Sequence, residues 1–327
     1  MKYLVTGGAG FIGSNYVRHL VSGTYGSDVT RVTVLDALTY AGNLENLKSA
    51  ESSSLFEFVH ADINNREIVN QLMRETDVVV HFAAESHVDR SISGSAEFIR
   101  TNVLGTHTLL EAAREAKVNR FVHVSTDEVY GTIDSGSWKE DEPLLPNSPY
   151  AASKASSDLL VRSYFRTHGL DTITTRCSNN YGPYQYPEKL IPLFTTNLID
   201  GLTVPLYGNG MNVRDWLHVD DHCNGIQLAL MNGRAGEIYN IGGGTELTNI
   251  EMTKKILEAM NADWDTSVVQ VEDRKGHDLR YCVDCSKAEK EIGYTPRVAF
   301  DQGLAETIQW YKDNESWWRP LKATKAG

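Results

Sequence analysis

The glycine-rich segment at residues 7–13 constrains the fold of this chain more than any other feature. It reads GGAGFIG and follows an apolar, strand-like run at residues 2–6. Residues 14–21 come next, with apolar side chains at helical spacing. Glycines between a first strand and a first helix allow a tight turn and let backbone N–H groups approach a pyrophosphate. The pattern is weak alone, but its position predicts a dinucleotide-binding site.

The strand–helix alternation continues through the first half of the chain. A long helical pattern covers about 96–116, and apolar runs typical of buried strands occupy residues 31–35, 56–60, 78–82 and 121–124. Repeated strand–helix units predict an α/β fold with a doubly wound, mostly parallel Rossmann sheet. Ligands bind such sheets beyond the carboxyl ends of the strands.

Asp36 stands at the end of the second predicted strand. A carboxylate there can accept hydrogen bonds from the ribose hydroxyls of a dinucleotide and would repel a 2′-phosphate. A simple turn residue at a strand end is the alternative. The upstream glycines favour the binding role, and the carboxylate itself favours NAD over NADP.

Composition excludes several classes of protein. The 327 residues carry a formal net charge of −12, from 43 acidic and 31 basic side chains, which argues against a nucleic-acid partner. No stretch approaches the length of a membrane span, and the N-terminus lacks the apolar core of a signal peptide. Cys282 and Cys285 form a C-x-x-C without a second pair, so we expect no metal site. A reducing cytoplasm fits these features.

Two acids, Asp127 and Glu128, directly follow the apolar run 121–124 in the segment STDEVYG. Carboxylates beside an apolar core destabilise the fold unless they are solvated, hydrogen-bonded or paired, or serve a functional role that offsets the cost. A helix cap or solvated turn is the simplest interpretation of a lone acid pair, but this pair stands where a parallel sheet binds its ligand. Neighbours on a strand point to opposite faces. Both acids can reach one ligand only if the chain leaves strand geometry by about Thr126, so we expect a turn or a first helical turn there.

The segment SPYAASK supplies a second candidate constellation. Ser148 can cap a helix that begins at Pro149. Tyr150 and Lys154 are then four residues apart and share a helix face. A free tyrosine has a pKa near 10, but a neighbouring ammonium and the positive helix end both favour phenolate. Y-x-x-x-K is common by chance, yet here it follows a dinucleotide loop, which makes Tyr150 a candidate base for a hydroxyl proton.

These motifs together resemble the extended short-chain dehydrogenase/reductases, and within them the dTDP-glucose 4,6-dehydratases. The resemblance runs from Lys2 to about Trp318. It rests on the segments TGGAGFIGS, FAAESHVDRSI, STDEVYG, SPYAASK, NNYGPYQYPEKLIP and DRKGHDLRY. Related epimerases typically lack the acid pair, and related decarboxylases typically keep one acid of it. An epimerase, a decarboxylase and a non-catalytic dinucleotide-binding regulator are the alternatives.

The resemblance implies an NAD-dependent dehydration of dTDP-glucose. Tyr150, supported by Thr126 and Lys154, would take the C4 hydroxyl proton while NAD accepts the hydride. Glu128 would remove the C5 proton, and Asp127 would protonate the departing C6 hydroxyl. The hydride would return to C6 and C5 would be reprotonated, which gives a 4-keto-6-deoxy sugar without net redox change.

The resemblance also implies a domain division, two sets of binding residues and a homodimer. Residues 1–176 would form the NAD-binding domain, and 177–327 mainly a smaller C-terminal sugar-nucleotide-binding domain, with segments near 215–241 returning to the main sheet. Helices at about 96–116 and 149–168 would form the dimer contact. The cofactor set, besides Tyr150 and Lys154, is Gly7, Gly10, Phe11, Ile12, Gly13, Asp36, Ala37, Leu38, Thr39, Asp62, Ile63, Phe82, Ala83, Ala84, Glu85, Ser86, Thr101 and Asn180. The substrate set is Ser86, Thr126, Asn179, Lys189, Leu190, Pro205, Leu206, Tyr207, Arg214, Asn249, Asp273, Arg274, Lys275, Gly276 and His277.

Overall fold

Twelve strands are present in the part of the chain that the structure, a computed structural model, describes, residues 1–26 and 28–323. They are β1 (Lys2–Thr6), β2 (Arg31–Asp36), β3 (Phe56–His60), β4 (Val78–His81), β5 (Arg120–Thr126), β6 (Thr172–Cys177), β7 (Asn179–Tyr181), β8 (Val204–Tyr207), β9 (Val213–His218), β10 (Ile238–Ile241), β11 (Glu246–Thr248) and β12 (Val268–Val271).

Helices connect these strands and cover the main sheet. They are α1 (Phe11–Val21), α2 (Arg66–Met73), α3 (Val88–Ser93), α4 (Ala96–Phe98), α5 (Thr106–Ala116), α6 (Pro149–His168), α7 (Leu190–Ile199), α8 (Val219–Asn232), α9 (Asn249–Met260), α10 (Trp264–Ser267), α11 (Ser286–Ile292), α12 (Phe300–Asp313) and α13 (Glu315–Ala323). A π-helical segment, Ile99–Gly105, joins α4 to α5, and short 3-10 helices occupy Leu44–Leu47 and Asp127–Tyr130. The predicted helix over 96–116 is therefore continuous but contains a π-helical stretch.

The main sheet has seven parallel strands in the order β10-β6-β5-β4-β1-β2-β3. The order reverses between β1 and β4, which is where doubly wound sheets form their ligand crevice. Successive side chains of β1 enter different cores, since Tyr3 and Val5 pack in one cluster and Leu4 in another. Burial on both faces is expected of a parallel sheet covered by helices. The predicted α/β fold with a doubly wound Rossmann sheet is confirmed.

The second half of the chain adds two small sheets, β11-β9-β7 and β12-β8. Segment 215–241 was predicted to return to the main sheet, but its start lies elsewhere. Strand β9 pairs in parallel with β7 and antiparallel with β11. The return to the main sheet begins with helix α8 and is completed by β10, which pairs with β6. The ladders with β11 at residue 215 and with β7 at residues 216–218 hold this start in the small sheet.

No helix among residues 1–26 and 28–323 is long and apolar enough to cross a membrane. Within the same residues, no group of three or more His, Cys, Asp and Glu side chains is placed to hold a metal ion. The four cysteines are free thiols.

Candidate active site

The glycine-rich loop leaves β1 in a conformation that requires glycine. Gly7 has φ +69°, and a Cβ on it would lie 2.5 Å from the backbone nitrogen of Ala83. A Cβ on Gly13 would lie 2.3 Å from the carbonyl oxygen of Gly7. Glycine adopts a positive φ without steric cost, and the missing side chains let α1 approach the loop closely. The loop therefore presents its backbone at the N-terminus of α1.

Asp36 fixes this loop from the end of β2. Its Oδ2 accepts a hydrogen bond from the Ala9 backbone N–H at 2.9 Å, and its Oδ1 accepts one from Leu38 at 2.8 Å. Burial raises the pKa of the carboxyl, although both backbone N–H groups oppose that shift. Asp36 thus ties the glycine loop to the segment after β2 while it faces the cavity.

A cavity of about 320 Å³ lies beyond the carboxyl ends of the main-sheet strands. Gly7 and Gly13 line it beside α1, and Asp36 lines it at the end of β2. The small side chains of Ala83 and Ala84 follow β4 and lie in the same wall. A tight glycine loop at a helix N-terminus and an acid at the next strand end are what a dinucleotide needs for its pyrophosphate and ribose. These residues fit NAD.

The two acids follow β5 on a 3-10 helix that begins immediately at Asp127. Thr126 ends the strand, and its Oγ1 accepts a hydrogen bond from the Glu128 backbone N–H at 3.3 Å. The chain leaves strand geometry where the sequence predicted. As a result both Asp127 and Glu128 line the cavity, together with Thr126.

Their surroundings separate the two carboxyl groups chemically. Burial, with the nearby charges of Glu128 and Asp215, raises the pKa of Asp127 well above its ordinary value. Burial also raises the pKa of Glu128, but the positive charges of Arg274, Lys189 and Arg214 oppose that shift. Paired groups held in different environments can serve as acid and base. Burial and neighbouring carboxyl groups thus favour the protonated form of Asp127, whereas basic groups partly offset the effect of burial on Glu128.

Helix α6 supplies Tyr150 and Lys154. It begins at Pro149, and the Ser148 side chain accepts a hydrogen bond from the Ala151 backbone N–H at 3.1 Å, as the capping motif predicted. The Lys154 Nζ donates to the Val124 carbonyl oxygen at 2.8 Å. Burial lowers the pKa of Lys154 to about 8.

Tyr150 differs from the expectation of a favoured phenolate. Burial and the negative charge of Glu128 raise its pKa well above the ordinary value, and a hydrogen bond with Thr126 only partly opposes this. The reason is that Tyr150 is 9 % exposed and has a carboxyl neighbour, so desolvation outweighs the helix end and the ammonium. Tyr150 is therefore a proton donor at rest and needs added positive charge to act as a base.

Comparison with known proteins places this site in a family. The family profile described as GDP-mannose 4,6 dehydratase matches residues 4–307.

The chain belongs to this dehydratase family.

A dTDP-glucose 4,6-dehydratase of Streptomyces antibioticus is 60 % identical over 329 residues, covering 100 % of this chain and 97 % of its own. The crystal structure of DesIV, a dTDP-glucose 4,6-dehydratase of Streptomyces venezuelae with NAD bound, has a TM-score of 0.97 and 61 % identity, covering 98 % of this chain and 100 % of its own. The structure of a UDP-glucose 4-epimerase of Thermotoga maritima has a TM-score of 0.88 and is 31 % identical in sequence. The match covers 96 % of this chain and 100 % of the epimerase chain.

In this member of the dehydratase family, the cavity collects nearly all residues predicted to contact the cofactor. The five predicted catalytic residues and the whole cofactor set except Leu38 lie in its wall. Leu38 has a positive φ of 49° and packs against the core beside the sheet. Its backbone N–H binds Asp36, so it supports the wall without lining it.

The predicted substrate residues divide into two groups. Ser86, Thr126, Asn179 and Lys189 line the cavity. The others lie outside its wall, on α7, β8, β9, α9 and the segment after β12. These are Leu190, Pro205, Leu206, Tyr207, Arg214, Asn249, Asp273, Arg274, Lys275, Gly276 and His277. The two arginines of this group still act on the site, since their charges oppose the rise in the pKa of Glu128.

Several wall residues were missed by the sequence prediction. They are Leu35, Tyr40, Ala41, Gly42, Val124, Ser125, Cys177, Ser178, Gln185, Tyr186 and Glu188. Most directly adjoin predicted positions: Tyr40 follows the Asp36 segment, Cys177 ends β6, and Gln185 lies within NNYGPYQYPEKLIP. The rule that ligands meet the carboxyl ends of parallel strands could have found Leu35, Val124 and Cys177.

Proposed function

We propose that this protein is an NAD-dependent dTDP-glucose 4,6-dehydratase that converts its substrate to dTDP-4-keto-6-deoxy-glucose. The single observation that carries the proposal is the turn after β5, which presents two carboxyl groups with different charged neighbours to one cavity. Elimination of water needs both a base for the C5 proton and an acid for the C6 hydroxyl. Close similarity to dTDP-glucose 4,6-dehydratases over the full chain supports the same substrate.

The cavity residues divide the proton transfers among them. NAD, when bound, supplies the acceptor for the C4 hydride and the donor that returns it to C6. Tyr150 takes the C4 hydroxyl proton, and the Thr126 hydroxyl, with which it shares a hydrogen bond, orients the same oxygen. Lys154, four residues along α6, contributes part of the positive charge that a phenolate requires, and the nicotinamide ring of bound NAD would add to it. The oxidised C4 makes the C5 proton acidic.

Glu128 then removes the C5 proton, and Asp127 donates a proton to the departing C6 hydroxyl, which leaves as water. Glu128 returns a proton to C5 when the hydride reaches C6. This assignment follows their surroundings, because Asp127 is 2 % exposed among negative charges and Glu128 faces three basic groups. A positioned acid or base typically contributes roughly 10²- to 10⁴-fold in rate. The reversed assignment would require a buried Asp127 carboxylate beside Glu128 and Asp215.

Basic side chains near the acids suit the diphosphate of a sugar nucleotide. Lys189 lines the cavity, and Arg214 and Arg274 act electrostatically on Glu128. Arg214 is 5 % exposed, and its guanidinium donates to the carbonyl oxygens of Val213 and Asp278 at 2.7 and 2.9 Å. Because these carbonyl acceptors are neutral, they leave the positive charge of Arg214 uncompensated, and it can attract an anion such as a diphosphate.

An epimerase is the competing function, because the fold is shared with a UDP-glucose 4-epimerase. Incubation of the protein with dTDP-glucose, UDP-glucose and UDP-glucuronate separates the possibilities. We expect a 4-keto product from dTDP-glucose. A 4-epimer from UDP-glucose, or carbon dioxide from UDP-glucuronate, would contradict the proposal in favour of an epimerase or a decarboxylase.

We also propose a homodimer and a reducing cytoplasmic location. The helical segment from 96 to 116 and helix α6 expose Ile99, Leu104 and Leu159, which are 47 %, 54 % and 59 % accessible. Exposed apolar side chains on two packed helices suit a subunit contact. Four free thiols suit a reducing compartment.

A further inference from the structure

The C-terminal helix α13 is hydrogen-bonded to the glycine-rich loop through one buried side chain. The Trp317 Nε1 donates to the Asn46 Oδ1 at 2.9 Å, across 271 residues of sequence. The Asn46 Nδ2 in turn donates to the Ala9 carbonyl oxygen at 2.8 Å. Asn46 is 2 % exposed, so the bond to Ala9 is shielded from water and the bond from Trp317 is partly shielded. The last helix thus helps to hold the loop that would carry the pyrophosphate.

An arginine and an aromatic cluster reinforce this link. Arg18 of α1 donates to the Asn46 carbonyl oxygen at 2.8 Å, and its guanidinium lies 4.4 Å from the ring centre of Tyr184. The Tyr184 ring contacts the rings of Trp310 and Trp317 at 4.6 and 5.6 Å between centroids. A cation over an aromatic face contributes to stability when it is partly desolvated.

Helices α12 and α13 also hold the opposite wall of the cavity. The Tyr186 hydroxyl donates to the Leu321 carbonyl oxygen at 3.3 Å, and the Tyr311 hydroxyl donates to the carbonyl oxygen of Gln185. Gln185 and Tyr186 both line the cavity. Helices α12 and α13 therefore hold residues on both sides of the cavity that fits NAD.

We propose that α13 is a clasp that retains NAD between the two hydride transfers, with Trp317, Asn46 and Tyr186 as its positioning residues. The inference rests on the proposed function in one respect. A dehydratase returns to C6 the hydride that it took from C4. Loss of the reduced cofactor between these steps would leave a keto intermediate that could not be reduced at C6. Holding the glycine loop and the opposite wall from one helix slows that loss.

The test is the exchange of bound NAD for radiolabelled NAD in the holoprotein, without any sugar. Trp317→Phe keeps an aromatic ring but removes the N–H that binds Asn46. We expect exchange about tenfold faster than in the parent, the effect of one lost buried hydrogen bond. Trp310→Phe is the matched control, because it alters the same aromatic cluster and leaves the hydrogen bond intact. We expect its exchange rate to stay within about twofold of the parent.

Tyr186→Phe gives an independent variant, since it removes only the hydroxyl that binds Leu321. Bound NAD should also exchange faster in Tyr186→Phe than in the parent. This variant keeps the proposal testable if Trp317→Phe does not fold. Parental exchange rates in both Trp317→Phe and Tyr186→Phe would overturn the clasp. Equal acceleration in Trp317→Phe and Trp310→Phe would overturn it in favour of general aromatic packing.

The exchange readout separates this proposal from the proposed function. If dTDP-glucose is not dehydrated but Trp317→Phe still exchanges NAD faster, the clasp stands and the dehydratase assignment fails. If dTDP-glucose is dehydrated, Trp317→Phe should release NADH during turnover, detected by a coupled NADH-consuming enzyme. Absence of released NADH from that variant would contradict retention as the purpose of α13.

Discussion

Asp36 shows how one side chain serves both fold and ligand. Its two carboxylate oxygens hold the backbone of Ala9 and Leu38, and its burial raises its pKa. The glycine loop therefore depends on the same group that is placed to meet the ribose. A substitution there acts on loop geometry and on cofactor choice together.

Asp36→Asn should weaken NAD binding and lower the preference for NAD over NADP by about tenfold. The amide keeps the size of the side chain, but it removes the charge that repels a 2′-phosphate and presents an N–H to one backbone donor. The measurement is the affinity for both cofactors by titration of protein freed of NAD. An unchanged NAD-to-NADP ratio would remove Asp36 from the ribose site.

At the scale of elements, a buried ion pair with a neighbouring histidine joins α6 to the sheet beneath the site. Asp158 of α6 contacts Arg176 of β6 at 2.9 Å from Oδ2 to Nε, and His123 of β5 at 3.3 Å from Oδ1 to Nε2. The Arg176 and His123 contacts hold the pKa of Asp158 at about 2 despite burial. Because Asp158 lies four residues after Lys154, these contacts position the helix face that carries the site.

Asp158→Asn should lower the free energy of unfolding at neutral pH by about 3–5 kcal/mol, since it leaves the Arg176 charge buried without its partner. The double variant Asp158→Asn with Arg176→Met should lose less than the single variant. Urea unfolding followed by circular dichroism measures both. The contribution of Asp158 should be fully present above pH 4 and should fall as the pH drops through about 2. A larger loss in the double variant would contradict this account.

Local signals explain which elements the sequence could predict. The start of α6, the turn after Thr126 and the glycine loop follow from capping, strand alternation and glycine geometry within a few residues. The small-sheet position of β9 and the bond from Trp317 to Asn46 depend on partners far along the chain. The pKa of Tyr150 depends on its burial, which spacing alone does not reveal.

At the scale of the whole molecule, apolar side chains mark one surface. Ile99, Leu104 and Leu159 are exposed on the helical segment 96–116 and α6, which pack against each other. Burying such side chains between subunits would stabilise the dimer by about 25 cal/mol for each Å² of apolar surface removed from water. The proposed dimer would then stabilise the same helix that carries Tyr150 and Lys154.

Leu104→Glu should therefore convert a dimer to a monomer, because a buried unpaired carboxylate at a subunit contact is costly. Leu202→Glu is the matched control, since both leucines are 54 % exposed but Leu202 lies outside these helices. Light scattering after size-exclusion chromatography measures the mass of each. A dimeric Leu104→Glu, or a monomeric parent protein, would refute the proposed contact.

The central claim, that Glu128 is the base and Asp127 the acid of one elimination, is tested most directly by deuterium exchange at C5 of the substrate in heavy water. Both variants, Glu128→Gln and Asp127→Asn, keep the shape of the side chain and should still oxidise C4. Asp127→Asn should incorporate deuterium at C5 in single-turnover samples, because Glu128 remains. Glu128→Gln should build up bound NADH without incorporating deuterium. Incorporation in Glu128→Gln, or its loss in Asp127→Asn alone, would contradict this division of roles.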